Sequence, residues 1–372
     1  MSEIVKEMEV PKRILLGPGP SNVHPRILKA MSMPLIGHLD SEFLKIMDQT
    51  MELLRTVFQT KNRLTIPVSG TGSAGMEAAF VNFIEEGDKV IVAINGVFGE
   101  RVADLLRRLK AQITEVRAEW GKLVDVSKIE AELKKGHFKA VAIVHAETST
   151  GVLQPIEGLG KLVRDNGALF IVDTVTSLGG MPVKVDEWMI DVSYSGTQKC
   201  LSCPPGISPF TINERAIEVM KGRKTKIPSW YFDMTMIEKY WGSERVYHHT
   251  APISMIYALR EALRLIIEEG LEARFKRHLE NYKFLSQKLE EIGINYLVEE
   301  KYRLPSLNSV LIPPGADDKD VRKRLLDQYG IEIGGGLGVL AGKIWRIGLM
   351  GYSSSKDNIN LLVNALKDIL KK

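Results

Sequence analysis

The sequence predicts an α/β protein: a large domain with a mostly parallel, seven-stranded-type sheet flanked by helices, then a smaller C-terminal α+β domain. Three observations support this prediction. Short apolar runs alternate with amphipathic stretches over residues 64–210, which is typical of βα units. After Pro252 the pattern changes to long helical stripes. The chain has 372 residues, more than one hydrophobic core usually supports.

The strands are predicted from runs that are short, apolar and bounded by Gly, Asp or Ser. Uninterrupted apolar character is typical of parallel strands that are covered on both faces. The predicted strands are 64–68, 89–94, 140–145, 169–172 and 192–195. The amphipathic stretches between them predict helices at 76–86, 97–109 and 156–165.

The C-terminal part is predicted to be dominated by helices. One apolar stripe runs from Ile253 to Ile266 and a second from Leu271 to Leu289, and Gly270 separates them. A last amphipathic helix is predicted over residues 356–370. The sequence thus predicts an N-terminal arm over 1–14, a large domain over 15–268 and a small domain over 269–372.

The composition argues against several classes of protein. The chain has 50 basic and 46 acidic residues, without the dense basic cluster that nucleic-acid binding requires. No apolar run approaches the ~18–20 residues that span a bilayer, and the N-terminus lacks the apolar stretch of a signal peptide. Two cysteines provide no disulfide framework. We therefore expect a cytoplasmic protein without nucleic-acid or membrane partners.

A glycine-rich loop, SGTGSAG from Ser69, lies between a predicted strand and a predicted helix. Such a loop can bind a phosphate, because glycines allow close approach and the helix N-terminus offers free N–H groups. Thr71 and Ser73 add hydroxyl donors; an ordinary strand-to-helix turn is the alternative. The glycines also fit the nicotinamide-dinucleotide pattern, but the next strand ends Ile94-Asn95-Gly96, without the acidic residue that binds the ribose. A dehydrogenase is therefore disfavoured.

Two candidate catalytic residues follow neighbouring predicted strands. Asp173 ends ALFIVD, and Lys199 lies in the string VSYSGTQK. The carboxyl ends of parallel strands line one crevice, so both residues could face the ligand of the glycine loop. A lysine that forms an imine, a carboxylate that binds the pyridine nitrogen and a phosphate loop together suit pyridoxal phosphate. A surface lysine and a turn aspartate are the alternatives for each residue alone.

Seven motifs in order carry a family resemblance. They are GPGPSN at Gly17, SGTGSAGMEAA at Ser69, ETSTGVLQP at Glu147, VDTVTSLGG at Val172, SGTQK at Ser195, YHHT at Tyr247 and WRIGLMG at Trp345. Together they closely resemble the alanine–glyoxylate/serine–pyruvate aminotransferases, class V of the fold-type-I pyridoxal-phosphate enzymes. The resemblance covers nearly the whole chain and implies that fold, cofactor and reaction.

The resemblance also implies roles for individual residues around the cofactor. Lys199 would be the Schiff-base lysine and Asp173 the partner of the pyridinium nitrogen. Phe98 would stack on the ring, where mammalian members carry tryptophan, and Val175 would pack on its other face. Ser73 stands where those enzymes have histidine. The remaining cofactor-binding residues implied by the resemblance are Thr71, Gly72 and Gln198 at the phosphate, Thr148 near the ring hydroxyl, and Tyr247 and Thr250 from the second subunit of a homodimer.

Substrate binding is likewise implied by the resemblance. Arg346 would bind the substrate carboxylate, for which a planar guanidinium is well suited, with Gly19 beside the substrate. A structural ion pair is the alternative for Arg346. Alanine or serine would be the amino donor, and glyoxylate or pyruvate the acceptor, in a ping-pong reaction. Hydroxykynurenine, aminoethylphosphonate and phosphoserine remain alternative donors, although no clear second cationic site for an acidic side chain is evident.

Three further readings are disfavoured. A cysteine desulfurase needs a cysteine far downstream of the lysine, and none follows Cys203. The adjacent His248 and His249 lack a third ligand, so no metal site is expected. A non-catalytic protein on this fold would be expected to have lost its catalytic residues, but Lys199, Asp173 and Arg346 are all present.

Overall fold

The computed structural model describes residues 7–371, so the first six residues of the predicted N-terminal arm lie outside the described part of the chain. The described part contains fourteen strands and twelve α-helices. The strands are β1 (Ile14–Leu15), β2 (Leu64–Ser69), β3 (Lys89–Ile94), β4 (Gln112–Arg117), β5 (Ala140–Val144), β6 (Ala146–Glu147), β7 (Val152–Leu153), β8 (Leu169–Asp173), β9 (Val192–Tyr194), β10 (Ile207–Ile212), β11 (Leu307–Leu311), β12 (Ile331–Glu332), β13 (Gly334–Gly335) and β14 (Ile344–Gly348). The helices are α1 (Pro25–Met31), α2 (Ser41–Phe58), α3 (Gly72–Val81), α4 (Val97–Arg108), α5 (Val126–Leu133), α6 (Leu159–Asp165), α7 (Glu214–Lys221), α8 (Met234–Trp241), α9 (Ile253–Glu269), α10 (Leu271–Glu290), α11 (Asp318–Tyr329) and α12 (Lys356–Leu370).

The central sheet has seven strands in the order β2-β10-β9-β8-β5-β3-β4. Its strands run parallel except β10, which is antiparallel to both of its neighbours. The α/β fold with a mostly parallel sheet is thus confirmed. Because β2, β3, β5, β8 and β9 share one direction, their carboxyl ends lie along one edge of the sheet, and the loops that leave this edge carry the candidate residues.

Helix α3 differs from its predicted bounds because of close packing. It begins at Gly72 and ends at Val81, whereas the sequence predicted 76–86. A Cβ on Gly75 would come within 1.9 Å of the Ser208 hydroxyl oxygen on β10. The glycines, poor helix formers by themselves, are therefore helical here because they let α3 lie directly on the sheet.

The apolar core forms one large cluster around the seven-stranded sheet and a second around the small three-stranded sheet β11-β14-β13. Trp345 is fully buried in the second cluster, where α10, α11 and α12 pack. The N-terminal strand β1 pairs in parallel with β12, so Leu16 joins this second cluster. The domain bounds at residues 14 and 268 stay a prediction. Within residues 7–371, none of the helices combines the length and apolar character that crossing a bilayer requires.

Candidate active site

A cavity of about 180 Å³ lies at the carboxyl edge of the central sheet. It brings together eight of the residues that the sequence analysis proposed. They are Thr71, Gly72, Ser73, Phe98, Asp173, Val175, Gln198 and Lys199. The remaining lining residues, Met76, Arg101 and Tyr194, were not predicted.

The glycine loop forms one wall of this cavity. Thr71 is the N-cap of α3, and its side chain makes no capping hydrogen bond. The first N–H groups of a helix have no intrahelical partner, so the N-terminus of α3 offers donors toward the cavity. Gly70 adopts φ +132°, a conformation that glycine tolerates best, and a Cβ there would come within 2.5 Å of the Ala74 side chain. This wall is suited to hold a phosphate.

Asp173 lies at the buried end of β8. One of its carboxylate oxygens accepts a hydrogen bond of 2.8 Å from the Val175 N–H. Desolvation raises the pKa of Asp173 to about 7, although the Val175 N–H and the Tyr194 hydroxyl act in the opposite direction. Asp173 and Tyr194 are register partners on adjacent strands, so their side chains project from the same face of the sheet. Burial, together with the negative charge of Asp173, raises the pKa of the Tyr194 hydroxyl well above its ordinary value.

Lys199 follows β9 and is 8% exposed. Its amine donates a hydrogen bond to the carbonyl oxygen of Pro18. Burial, together with the positive charge of Arg346, lowers the pKa of Lys199 to about 8. Gly19 packs directly on this side chain, because a Cβ there would come within 2.6 Å of the Lys199 Nζ. Gly19 thus lies beside Lys199, and its role next to the substrate stays a prediction.

Arg346 lies on β14 of the small sheet and is 7% exposed. Its Nε donates to the carbonyl oxygen of Gly335 at 2.8 Å, and its Nη1 donates to that of Thr148 at 3.2 Å. Burial lowers the pKa of Arg346 to about 10, so the guanidinium stays charged at neutral pH. Both contacts are to neutral carbonyls, and Arg346 has no ion pair within the described residues. The contacts hold the guanidinium without neutralising its charge.

Thr148, Tyr247 and Thr250 lie outside the lining of this cavity. Thr148 is buried, and its hydroxyl shares a 2.7 Å hydrogen bond with that of Thr176. Tyr247 is 56% exposed, and Thr250 is also exposed. Tyr247 and Thr250 were predicted to contact the cofactor that is bound by a second subunit, not the one bound by their own subunit.

The two adjacent histidines contact each other and the glycine loop. The Nδ1 atoms of His248 and His249 lie 2.8 Å apart, and the Nε2 of His249 lies 2.7 Å from the Ser69 hydroxyl. Across residues 7–371, no three His, Cys, Asp or Glu side chains are arranged to hold a metal ion. The two cysteines are buried and free.

Two of the unpredicted residues have recognisable sequence signals. Arg101 lies one helical turn after Phe98 on α4, and its guanidinium carbon lies 4.9 Å from the centre of the Phe98 ring. Tyr194 could have been found from the strand register, since it pairs with Asp173. Arg101 is also a cation in the cavity lining, whereas no clear second cationic site was evident from the sequence.

The residues of the cavity fit the cofactor that the resemblance implies. Asp173 is a buried carboxylate, and a positively charged N–H group would stabilise its ionised form. Lys199 is a buried amine that is partly deprotonated near neutral pH. The Gln198 side-chain oxygen is buried without a hydrogen-bond partner. Aromatic Phe98 and apolar Val175 both line the space between these groups. This set of groups matches a flat pyridine ring with a phosphate at one end.

Comparison with known proteins gives the same answer. The family model Aminotransferase class-V matches residues 17–362. A (S)-ureidoglycine–glyoxylate transaminase of Bacillus subtilis is 43% identical, with 98% of this chain and 92% of that protein covered. An alanine–glyoxylate aminotransferase of Rattus norvegicus is 42% identical, with 98% and 89% covered.

The same similarity is found among solved structures. The crystal structure of an alanine–glyoxylate aminotransferase from Nostoc sp. matches with a TM-score of 0.97 and 52% identity, covering 98% of this chain and 97% of that one. The cavity and these relatives confirm both the reaction class and the cofactor predicted from the sequence. The chain belongs to the class-V aminotransferase family, and it is a pyridoxal-phosphate-dependent aminotransferase.

Proposed function

We propose that this aminotransferase moves the amino group of a small amino acid, alanine or serine, to glyoxylate or pyruvate. The observation that carries the proposal is the buried guanidinium of Arg346, which lies near the buried amine of Lys199 and forms no ion pair within residues 7–371. A planar guanidinium binds a carboxylate in a fixed orientation, and both an amino acid and a 2-oxo acid have that carboxylate. Glyoxylate is also in the names of the relatives from Bacillus subtilis and Rattus norvegicus.

The chemistry would divide among the residues as follows. Bound pyridoxal phosphate would supply an electron sink for the electron pair that proton removal leaves at the substrate Cα. Asp173 would hold a proton on the ring nitrogen, and the N-terminus of α3 with Gln198 would bind the phosphate. Arg346 would orient the substrate Cα–H bond toward Lys199. The Lys199 amine, once the substrate amine has displaced it from the cofactor, would take the Cα proton and pass it to the cofactor carbon that is bonded to the amino nitrogen.

Replacement of Arg346 tests the substrate-binding proposal. Arg346→Gln should lower kcat/KM for alanine roughly 10- to 100-fold, because a charge-assisted hydrogen-bond pair is lost. Most of the change should appear in KM, while the affinity for pyridoxal phosphate stays within about twofold, since the residue does not line the cofactor cavity. Steady-state kinetics with alanine and glyoxylate measure this. Arg322→Gln, on a neighbouring helix and already paired with Asp318, is the matched control. Equal kcat/KM for Arg346→Gln and wild type would contradict the assignment.

The pKa of Lys199 predicts how cofactor attachment depends on pH. Only the neutral amine attacks the cofactor aldehyde, and Lys199 has a pKa of about 8. Below that value the neutral fraction falls tenfold per pH unit, so the rate of attachment to the apoenzyme should rise steeply to about pH 8 and then level off. The growth of absorbance near ~410–420 nm after mixing measures this rate. A rate that still rises through pH 10, as for an ordinary lysine, would contradict the lowered pKa.

A larger polar donor is the second candidate. The relative from Bacillus subtilis is named for ureidoglycine, and this chain is 43% identical to it. Arg101 lines the cavity, and within the described residues its guanidinium has no ion pair, so it is free to contact a carbonyl or an acidic group on a donor side chain. Comparison of kcat/KM for alanine, serine and ureidoglycine distinguishes the two candidates. A preference of more than about tenfold for ureidoglycine would select the second.

We propose that two copies of the chain share their active sites, and that the protein is cytoplasmic. Tyr247 and Thr250 would reach the cofactor of the partner subunit. Their exposure, and that of Trp230 (60%) and Val246 (49%), supports this proposal, since such patches usually mark interfaces. The two buried free cysteines accord with a reducing compartment.

Mixing of inactive subunits tests the shared site. Lys199→Ala subunits combined with Tyr247→Ala/Thr250→Ala subunits should regain about a quarter of wild-type activity, because half of the dimers are mixed and each of these has one complete site. Lys199→Ala mixed with Arg346→Gln is the control, and its activity should not exceed the sum of the parents, since both residues serve the site of their own subunit. Activity that is no higher than the sum of the parents in the first mixture would contradict a shared site.

A further inference from the structure

Glu147 is a fully buried carboxylate to which the reaction gives no role. It is the last residue of β6 and the first of residues 147–151, the ETSTG loop, and it is 0% exposed. Within the described residues it forms no ion pair, but each of its oxygens accepts two hydrogen bonds. Oε1 accepts from the N–H and the hydroxyl of Ser149 at 3.1 and 2.5 Å. Oε2 accepts from the N–H groups of Phe98 and Gly99 at 3.2 and 3.4 Å.

These contacts lie at the N-terminus of α4. The N-cap of α4 is Gly96, which has no side chain to cap the helix. The Val97 N–H instead donates to the Ser149 hydroxyl at 2.9 Å. Glu147 accepts from the next two N–H groups, so the first three helical N–H groups of α4 are all satisfied by a distant loop. A negative charge at a helix N-terminus is also favoured by the helix dipole.

The glycine at the N-cap makes room for this arrangement. A Cβ on Gly96 would come within 2.4 Å of the Glu147 Cδ and 2.5 Å of the Ser149 hydroxyl oxygen. A local capping side chain, the usual Ser, Thr, Asp or Asn, would therefore collide with the loop. The position of α4 thus depends on the ETSTG loop rather than on its own N-cap residue.

The same loop also contacts the substrate side of the site. The carbonyl oxygen of Thr148, between the two capping residues, accepts the hydrogen bond from Arg346 Nη1. Phe98 is the second residue of α4 and lines the cofactor cavity. The ETSTG loop therefore contacts both α4, whose Phe98 would face the cofactor ring, and Arg346, which would face the substrate carboxylate.

We propose that Glu147, together with Ser149, is a positioning residue that caps α4 and thereby holds Phe98 against the cofactor ring. This inference rests on the proposed stacking role of Phe98. Glu147 does not line the cofactor cavity, so it would act through the backbone N–H groups of Phe98 and Gly99 that it accepts from. Its effect is therefore on how tightly and in what orientation the cofactor binds, before any substrate is present.

The test compares pyridoxal phosphate binding to apoenzyme variants. Glu147→Gln keeps the size of the side chain, but its amide nitrogen must face two donors in place of an accepting oxygen. We expect the Kd for pyridoxal phosphate to rise about tenfold, the change that corresponds to the loss of a typical cap, and the visible circular dichroism of the bound cofactor to change. Ser149→Ala, which removes the Val97 contact, should act in the same direction with a smaller change. If Glu147→Gln fails to fold, the Kd of Ser149→Ala provides the test.

A double-mutant cycle separates positioning from a general loss of stability. In a Phe98→Leu background, Glu147→Gln should change the Kd less than about twofold, because the ring contact through which it acts is gone. Asp191→Asn is the matched control: Asp191 is a buried carboxylate that accepts a 2.8 Å hydrogen bond from the Phe170 N–H at the opposite edge of the sheet. It should lower Tm without changing the Kd or the dichroism.

The outcomes distinguish this inference from the proposed function. An unchanged Kd in both Glu147→Gln and Ser149→Ala, or the same tenfold rise with and without the Phe98 ring, would overturn the positioning role. In either case normal cofactor binding by the wild-type chain leaves the function standing. A wild-type apoenzyme that does not bind pyridoxal phosphate would contradict the function itself.

Discussion

Lys199→Ala should lower kcat for transamination about 10⁴-fold or more. Acid–base catalysis alone contributes roughly 10²–10⁴-fold, and this variant also loses the covalent attachment of the cofactor. The side chain is buried at the end of the cavity, and its pKa of about 8 suits an amine that must lose and gain a proton near neutral pH. No other lysine lines the cavity to replace it. Steady-state kinetics with alanine and glyoxylate measure the loss.

A control separates this effect from a general change in the protein. Lys161→Ala removes an exposed lysine that pairs with Asp165 on the surface of α6, and it should leave both kcat and Tm nearly unchanged. The Lys199→Ala variant should still bind pyridoxal phosphate through the phosphate wall, but without the absorbance band near ~410–420 nm. A variant that retained more than about a tenth of the wild-type kcat would exclude Lys199 as the central catalytic group.

Asp173→Asn should lower kcat roughly 10²- to 10³-fold. The amide oxygen of asparagine can still accept the Val175 N–H, so the local geometry should survive. Asparagine has no negative charge to keep a proton on the ring nitrogen, and removal of one partner of a buried charge pair costs about 2–5 kcal/mol. The loss should appear in the rate of Cα proton removal, measured in a single half-reaction.

The control for this substitution is another buried carboxylate of the same sheet. Asp191 lies at the amino ends of the strands, away from the cavity, and pairs with Arg215. Asp191→Asn should therefore lower stability and leave kcat within a few fold of wild type. If Asp173→Asn and Asp191→Asn reduced kcat by the same factor, the loss would reflect stability alone.

Much of the large domain could be predicted because buried parallel strands are continuous apolar runs. The two strands of the seven-stranded sheet that were missed, β4 and β10, are exceptions to that rule. The edge strand β4 alternates polar and apolar residues and is only partly buried. The central strand β10 contains Pro209, and proline is usually confined to edge strands. The break at Gly270 and the bounds of α12 were predicted correctly because long amphipathic stripes are the strongest pattern in a sequence.

The candidate site was predictable where it depends on strand ends. Asp173 ends β8 and Lys199 follows the adjacent parallel strand β9, so the topology alone places both at the carboxyl ends of the strands. Arg101 and Tyr194 required the helical turn and the strand register as well. The contact of Glu147 with the start of α4 joins residues 48 and 49 positions apart, and only the packed structure brings them together.

The central claim is that Lys199 and Arg346 serve amino-group transfer from a small amino acid, and an absorbance spectrum of the purified holoenzyme tests it most directly. Addition of alanine should remove the band near ~410–420 nm and produce one near ~330 nm, and glyoxylate should then restore the first band. A holoenzyme whose spectrum neither alanine nor serine changes would contradict the proposed donors. A protein without the first band, even after reconstitution with pyridoxal phosphate, would contradict the function as a whole.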